Sequence, residues 1–229
     1  MPSIAVILPC HNDAALLRRA LHHLHGADEV IVVDNACTDA SAEVARAYGA
    51  RVVVEPQLGI PYAVRAGFDA ATADILVRID ADVLPGEHFI QRIRDAWASA
   101  DEHTVAMTGW AWFEQRPRWH SIAYLGAYYL SVGSALGHWP LFGSNCSIRR
   151  SWWSAASVHF PDAGVHEDMH ISFALSPGQR VGLLPNPVVM HPRALEGDVG
   201  MRFRRGWHTI AVNWRTQPPW RRLPERFLQ

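Results

Sequence analysis

Along the first hundred residues, apolar and polar positions fall into two alternating kinds of block. Residues 4–8, 30–33 and 52–54 are short continuous apolar runs rich in Val and Ile, and 75–79 is a similar run broken only by Arg78. Runs of that length suit strands buried on both faces. Between them, residues 14–25, 41–48, 61–72 and 86–99 carry apolar positions at helical spacing, as in Leu16, Leu17, Ala20, Leu21 and Leu24. Asn12 or Asp13 is placed to cap the first helix, Gly26 and Gly49 to end the first two, and Pro61 sits in the first turn of the third, where its missing N–H costs little. The order β-α-β-α-β-α-β-α predicts an α/β fold with a mainly parallel sheet flanked by helices. The first, second and fourth strands run into His11-Asn12-Asp13, Asp34-Asn35 and Asp80-Ala81-Asp82. Ligand crevices of open α/β sheets lie at those carboxyl ends.

The second half has a less regular pattern. Residues 105–113 read as a strand, and 181–184 and 188–190 as two strands around Pro185 and Pro187. Residues 121–142 are uncharged apart from His138 and long enough for a membrane span. Gly126, Gly133, Gly137 and Pro140 weaken that reading and favour a buried or interfacial helix. No internal repeat is visible.

Composition narrows the classes. The chain has 229 residues, 49% hydrophobic and 19% charged, which excludes disorder as its dominant state. Cys10, Cys37 and Cys146 are scattered and odd in number, with no C-x-x-C, which argues against a disulfide scaffold and a zinc ribbon. No basic leader precedes the first apolar run, so a cytoplasmic protein without a signal peptide is expected. All 21 basic residues are Arg. The net charge of −1 hides a split: residues 1–115 carry 16 Asp and Glu against 8 Arg, and residues 116–229 carry 6 against 13. The tryptophans fall from Trp97 onward. A basic second half points to an anionic partner: a phosphate-bearing substrate, nucleic acid or a membrane surface.

Asp80-Ala-Asp82 carries the most chemistry. Carboxylates two apart on an extended chain leave the strand on one side. With water and a substrate phosphate they can hold a hard divalent cation. A solvated loop with a helix cap would look the same locally.

Six segments, in order, resemble the family 2 glycosyltransferases of the GT-A fold. Val6-Ile-Leu-Pro-Cys-His-Asn-Asp13 is similar to V-I-x-P-x-Y-N-E, and Val32-Val-Asp-Asn-Ala-Cys-Thr-Asp39 to V-V-D-D-G-S-T-D. Gly59, Ala63, Arg65 and Gly67 resemble N-x-G-x-x-x-A-[RN]-N-x-G, and Ile79-Asp-Ala-Asp82 the D-x-D strand. Gly143-Ser-Asn-Cys-Ser-Ile-Arg149 is similar to G-x-N-x-x-x-[RK], and His166-Glu-Asp-Met-His-Ile171 to the E-D motif of the acceptor side. Each is weak alone; their order is specific.

The resemblance implies one GT-A domain over residues 1–229, with 1–100 binding a nucleotide-sugar and 101–229 shaping the acceptor side. Pro9, His11 and Asp13 would lie along base and ribose, Asp34 would accept a hydrogen bond from the base, and Arg65 would reach base or phosphates. Asp80, with Ala81, would sit near ribose and metal, and Asp82 would ligate the Mg²⁺ or Mn²⁺ bridging a diphosphate. His191, after the last predicted strand, is a candidate third ligand and equally a surface residue. Asp168 would be the general base, with Glu167 orienting the site; a helix N-terminal acidic pair is the plainer alternative. Asn145, His166 and His170 are assigned to the acceptor side, with a plain surface position as the alternative for the two histidines. The i,i+4 spacing of the two histidines could also bind zinc, although no third ligand is evident.

The implied reaction is inverting transfer of a sugar from a UDP- or GDP-linked donor to a small-molecule or lipid-linked acceptor. The tail lacks Q-x-x-R-W, the mark of processive members. His11, Asp13, Asn35, Ala36 and Gln57 depart from the family pattern and leave the donor base open. Arg202-Phe-Arg-Arg-Gly-Trp207, and Trp214 to Arg222, mix Arg with Trp. Peripheral membrane contact, closure over the diphosphate, and packing or homo-oligomer contact all fit that mixture. A nucleic-acid partner does not, since no recognition module is present. Two other classes compete: a nucleotidyltransferase, which needs a G-G-x-G-x-R loop that Pro9-Cys10-His11 is not, and a non-catalytic nucleotide-sugar binder acting through its Trp/Arg tail.

Overall fold

The computed structural model describes residues 1–157, 165–196, 199–215 and 218. Its first half alternates β1 (Ile4–Cys10), α1 (Ala14–Leu21), β2 (Glu29–Asp34), α2 (Ser41–Ala47), β3 (Arg51–Val54), α3 (Ile60–Ala70) and β4 (Ile75–Arg78). There follow β5 (Val83–Leu84), α4 (Phe89–Ser99), β6 (Thr104–Phe113) and the long helix α5 (Arg118–Leu136). The chain then makes β7 (Cys146–Arg149), α6 (Arg150–Ala156), α7 (Glu167–Ser172), β8 (Arg180–Met190), a 3₁₀ turn (Pro192–Leu195) and α8 (Val199–Trp214). The eight strands form one sheet in the order β3-β2-β1-β4-β7-β6-β8-β5. The β1–β4 half is parallel, β6 pairs parallel with β8, and β7 and β5 run against their neighbours.

Alternation along β1 builds both layers. Ile4, Val6 and Leu8 face a core with Leu17, Leu21, Ile93, Trp97 and Leu125. Ala5 and Ile7 face the opposite core with Ala63, Val64, Phe68, Trp152 and Trp153. Such strands are hydrophobic throughout because neither face meets water.

Several boundaries differ from the sequence pattern, whereas the buried or interfacial helix expected within residues 121–142 is present as α5. β1 continues through Pro9 to Cys10, in register with Val33 and Asp34. α1 ends at Leu21, and the expected last turn tightens to 3₁₀-type bonds, His23 N–H to the Ala20 carbonyl at 3.0 Å and Leu24 N–H to the Leu21 carbonyl at 3.2 Å. β8 is a single strand through both prolines. It slips against β6 between Gly109 and Ala111, so residues 185–187 owe no ladder bonds there. α5 is interfacial: Leu125, Val132 and Leu136 are buried, while Trp119, Ile122 and Leu130 are exposed. Among the described residues no helix is long and apolar enough to cross a membrane. The tail segment from residue 216 lies outside the described residues, except residue 218.

Candidate active site

The carboxyl ends of β1, β2 and β4 open into a cleft of about 470 Å³, lined by Pro9, His11, Asp13, Ala81 and Asp82 among others. Asp80 and Arg193 complete its wall. The sheet therefore gathers the first and fourth strand-end motifs, as the crossover topology requires. Arg193 arrives from the 3₁₀ turn after β8, so the cleft draws on both halves of the chain.

His11 is held by its ring: Nδ1 lies 2.8 Å from the Asn35 carbonyl and donates to it. Asn35 explains one departure from the family pattern. Its amide donates to the carbonyls of Glu55 (3.0 Å) and Gln57 (2.7 Å), and its Oδ1 accepts the Gly59 N–H at 2.8 Å. An aspartate could not supply the first two bonds.

Asp13 stands at the start of α1, but its carboxylate does not cap the helix. Both oxygens take Arg193 N–H donors at 2.7 Å, and Asp39 accepts the Ala14 N–H instead. The Arg193 Nε donates to Asp82 Oδ2 at 2.6 Å. Arg193 is thus a positive charge clamped between two carboxylates, and its bond with Asp13, then Asp82, holds its pKa well above the ordinary arginine value. Burial, then the neighbouring Asp80, pushes the Asp82 carboxyl up, against Arg193, which pulls it down.

The central cation is Arg78, at the end of β4. Its side chain is almost fully buried, bonded to Glu167 through one nitrogen and to Asp80 Oδ1 at 3.1 Å through another. The other Asp80 oxygen accepts the Ser144 hydroxyl at 2.6 Å. Burial opposes the Arg78 charge, but Glu167, Asp80 and Asp168 outweigh it and hold the guanidinium protonated. Burial pushes the Glu167 carboxyl up, and Arg78 pulls it back. Asp168, next in the chain, accepts the Gly143 N–H at 3.0 Å through Oδ2 and the Met169 N–H at 2.8 Å through Oδ1.

Asp168 and His166 face a second cavity of about 730 Å³ among α5, α7 and α8. A further cleft of about 800 Å³, beside the second half of α5 and the turn before β8, has no acidic residue in its lining.

Several expected site residues are placed elsewhere. Asp34 is outside the cleft's lining; its Oδ1 accepts the Cys37 N–H at 2.9 Å and closes a turn that holds Ala36 at φ 56°. Arg65 is also outside the lining and donates to the Ser157 carbonyl at 2.9 Å. Asn145 is buried within the sheet, away from both cavities. Its amide bridges the carbonyls of Trp110 (3.0 Å) and Asn186 (2.8 Å), filling the slip between β6 and β8. His166 lines the second cavity, whereas His170 is not among its lining residues and its Nδ1 lies 3.1 Å from the Asn213 amide on α8. Arg78 and Arg193 were not picked out by the sequence. The signal for Arg78 was a charge inside an apolar strand, which has to be paired.

Among the described residues, no three His, Cys, Asp or Glu side chains cluster as a ready metal cage. Asp80 has both oxygens engaged. Among the described residues Asp82 Oδ1 has no protein partner, and His191 is joined to Asp82 by a backbone bond of 3.2 Å. His191 Nδ1 accepts the Arg193 N–H at 3.3 Å. One carboxylate and one imidazole suit a hard cation that takes its remaining ligands from phosphate and water. Displacing the Arg193 side chain frees Asp82 Oδ2, while the bond on His191 Nδ1 comes from the Arg193 main chain and stays.

The chain resembles known proteins in the same terms. The glycosyl transferase family 2 profile matches residues 5–153. An uncharacterized glycosyltransferase of Mycobacterium tuberculosis is 45% identical over 80 residues, 35% of this chain and 37% of the relative. The 4,4'-diaponeurosporenoate glycosyltransferase of Staphylococcus haemolyticus is 35% identical over 107 residues, 42% of this chain and 28% of the relative. The matches thus span about a third of these relatives' length. Among solved structures, glucosyl-3-phosphoglycerate synthase from Mycobacterium tuberculosis, in complex with Mn²⁺, UDP and glucosyl-3-phosphoglycerate, superposes with a TM-score of 0.67 at 20% identity. The superposition covers 93% of this chain and 80% of that one, a likeness of fold. By that profile match, and by the order of its motifs, the chain belongs to glycosyl transferase family 2.

Proposed function

We propose that the protein transfers a sugar, with inversion and one residue at a time, from a uridine diphosphate donor to an acceptor hydroxyl. What supports this is one observation above the others. Arg78 ties Asp80, on the wall of the cleft, to Glu167, the neighbour of Asp168 on the second cavity. A single buried cation thereby links a diphosphate-sized cleft to a carboxylate beside an empty volume. The uridine choice rests on the neighbouring fold, crystallised with UDP and with UDP-glucose.

In this mechanism the nucleotide lies along Pro9 and His11, with its diphosphate toward Asp82. Asp82 and His191 would hold Mg²⁺ or Mn²⁺, which when bound would neutralise charge developing on the leaving diphosphate. Arg193 turns from Asp13 and Asp82 to the phosphate oxygens, where a guanidinium fork binds well. Asp168 accepts the acceptor's proton. The Gly143 and Met169 N–H groups hold that carboxylate in one orientation. Glu167, locked on Arg78, is a positioning residue, not a base. Attack from the Asp168 side, opposite the leaving diphosphate, inverts the anomeric centre.

The test is a thermal-shift series with UDP, GDP, dTDP and CDP, each with Mn²⁺ and with EDTA. A ligand at a hundred times its dissociation constant stabilises by about 2.7 kcal/mol. The expected result is a Mn²⁺-dependent shift with UDP that Asp82→Ala abolishes and Asp168→Asn keeps. Turnover of a UDP-sugar should then fall about 10²–10⁴-fold in Asp168→Asn. No shift with any nucleotide would refute the donor site; full turnover in Asp168→Asn would refute the base.

A further inference from the structure

The cavity beside Asp168 is almost wholly apolar. Tyr128, Phe142, Met169, Trp207, Ile210 and Trp214 are its largest apolar and aromatic lining residues. Several of the polar atoms on this wall are already spent on the fold. The Tyr128 hydroxyl donates to the Leu141 carbonyl at 2.6 Å, and Trp214 Nε1 to the Ala135 carbonyl at 3.1 Å. Ser131, also on the wall, donates to the Ala127 carbonyl at 2.6 Å. Asp168, His166 and the phenols of Tyr124 and Tyr128 are the ionisable groups of the lining among the described residues, and no arginine is among them. A phosphorylated or carboxylated acceptor would therefore lose its hydration and meet a carboxylate instead of a cation. An apolar body would lose nothing and would dry the wall. The volume, about 730 Å³, is in the range that encloses most of a small organic ligand.

Resting on the transfer reaction proposed above, we infer that the acceptor is a neutral alcohol carried on an extended apolar body. Its hydroxyl meets Asp168, and a prenyl, acyl or aromatic body fills the space among α5, α7 and α8. Such an alcohol can arrive free in solution or seated in a bilayer. Trp119, Ile122 and Leu130, exposed on α5, and Trp207, exposed on α8, offer apolar surface for the second route.

Gly206 gives a clean probe. A side chain added there would project toward Met169 and His166, whose nearest atoms lie 3.9 and 4.0 Å from the added Cβ. It stands inside α8, where leucine is a better helix former than glycine. Gly206→Leu should therefore plug the cavity without unfolding the protein. Trp207→Ser, at an exposed ring, is the second variant.

Calorimetric titration of the full chain with butanol, hexanol and octanol should show affinity rising about fourfold per added methylene, the gain for burying one CH₂. Glycerol 3-phosphate is the polar control. Gly206→Leu should weaken octanol at least tenfold and Trp207→Ser severalfold, with the UDP–Mn²⁺ thermal shift retained as proof of folding. Affinity that does not depend on chain length, or octanol binding unchanged in both variants, would overturn the inference. With Mn²⁺ and UDP-glucose, UDP release should rise with octanol in buffer or with a polyprenol in phosphatidylglycerol vesicles, and the arm that responds identifies the source. Chain-length-dependent binding without UDP release would refute the transfer reaction and leave the cavity's ligand class standing. UDP release driven by glycerol 3-phosphate alone would do the reverse.

Discussion

Arg78 and Glu167 are 89 residues apart in the chain and form a buried ion pair between the end of β4 and the first residue of α7. Both side chains are only 5% exposed. Removing one partner of such a pair leaves the other charge without water or counter-ion, at a cost of about 3–5 kcal/mol. Arg78→Met should lose stability on that scale in urea denaturation. Glu167→Gln, which keeps a hydrogen-bond acceptor, should lose less. A loss under about 1 kcal/mol for Arg78→Met would mean that the pair is hydrated, since exposed pairs are worth no more than that.

Gly67 is where α3 touches the sheet. A Cβ there would strike the Ile7 side chain and come within 2.8 Å of Val33 Cγ2. Replacing glycine by alanine inside a helix gains up to about 1 kcal/mol, while overpacking a tight core costs about 1–3 kcal/mol. Gly67→Ala should therefore destabilise. Gly126→Ala, inside α5 with nothing within 4 Å of the added carbon, should stabilise. Midpoints of thermal unfolding for the two variants should move in opposite directions; a rise for both would show that α3 can lift from the sheet.

Arg193 competes with any cation for Asp82. Arg193→Gln should raise affinity for Mn²⁺ alone severalfold, because its bonds to Asp13 and Asp82 are gone. It should lower affinity for UDP with Mn²⁺ about tenfold, the loss of one charged hydrogen bond to phosphate. Calorimetry with each ligand reads both effects. Equal affinities in variant and wild type would remove Arg193 from the donor site.

Two aspartates fasten the start of β1. Asp28 accepts the Ile4 N–H at 2.8 Å, and Asp74 accepts the Ser3 N–H at 3.0 Å and the Ser3 hydroxyl at 2.9 Å. Those hydrogen bonds, above all the backbone ones, hold both carboxyls below the ordinary aspartate value. The folded chain thus binds these protons less readily than the unfolded chain. The stabilisation is complete above the ordinary value of about 3.9 and is lost as pH falls through the lower folded values. Between about pH 4 and pH 2, the unfolding midpoint should fall more steeply in the wild type than in Asp28→Asn/Asp74→Asn. Parallel curves would mean that other carboxylates govern acid unfolding.

The parallel strands β1–β4 were legible because each holds an apolar run, joined in β4 by Arg78, with a turn signal behind it. β5 and β7 were not: one is two residues long, and the other reads Cys-Ser-Ile-Arg with no apolar run. Pro185 and Pro187 argued for a break in β8, which the slip opposite Trp110 makes unnecessary. At the site, motif order brought out Asp13, Asp80, Asp82 and Asp168, the carboxylates that line the two cavities. It misassigned Asn145, because its burial depends on a β6–β8 irregularity that no local pattern encodes. Arg78 and Arg193 escaped notice because Glu167, for the first, and Asp13 and Asp82, for the second, lie far along the chain.

β5 has only Val83 and Leu84 to pair with, and its partners, Met190 and Val189, belong to the last strand. The Asp82 carbonyl accepts the His191 N–H just beyond them. As the chain leaves the ribosome, β1 to β4 can assemble from strands already made, since domains fold as their segments emerge. Asp82 gains a fixed position only when residues 189–191 arrive and close a long loop. The final strand is therefore a completion check: an interrupted chain carries the nucleotide-side strands without a finished corner for the diphosphate.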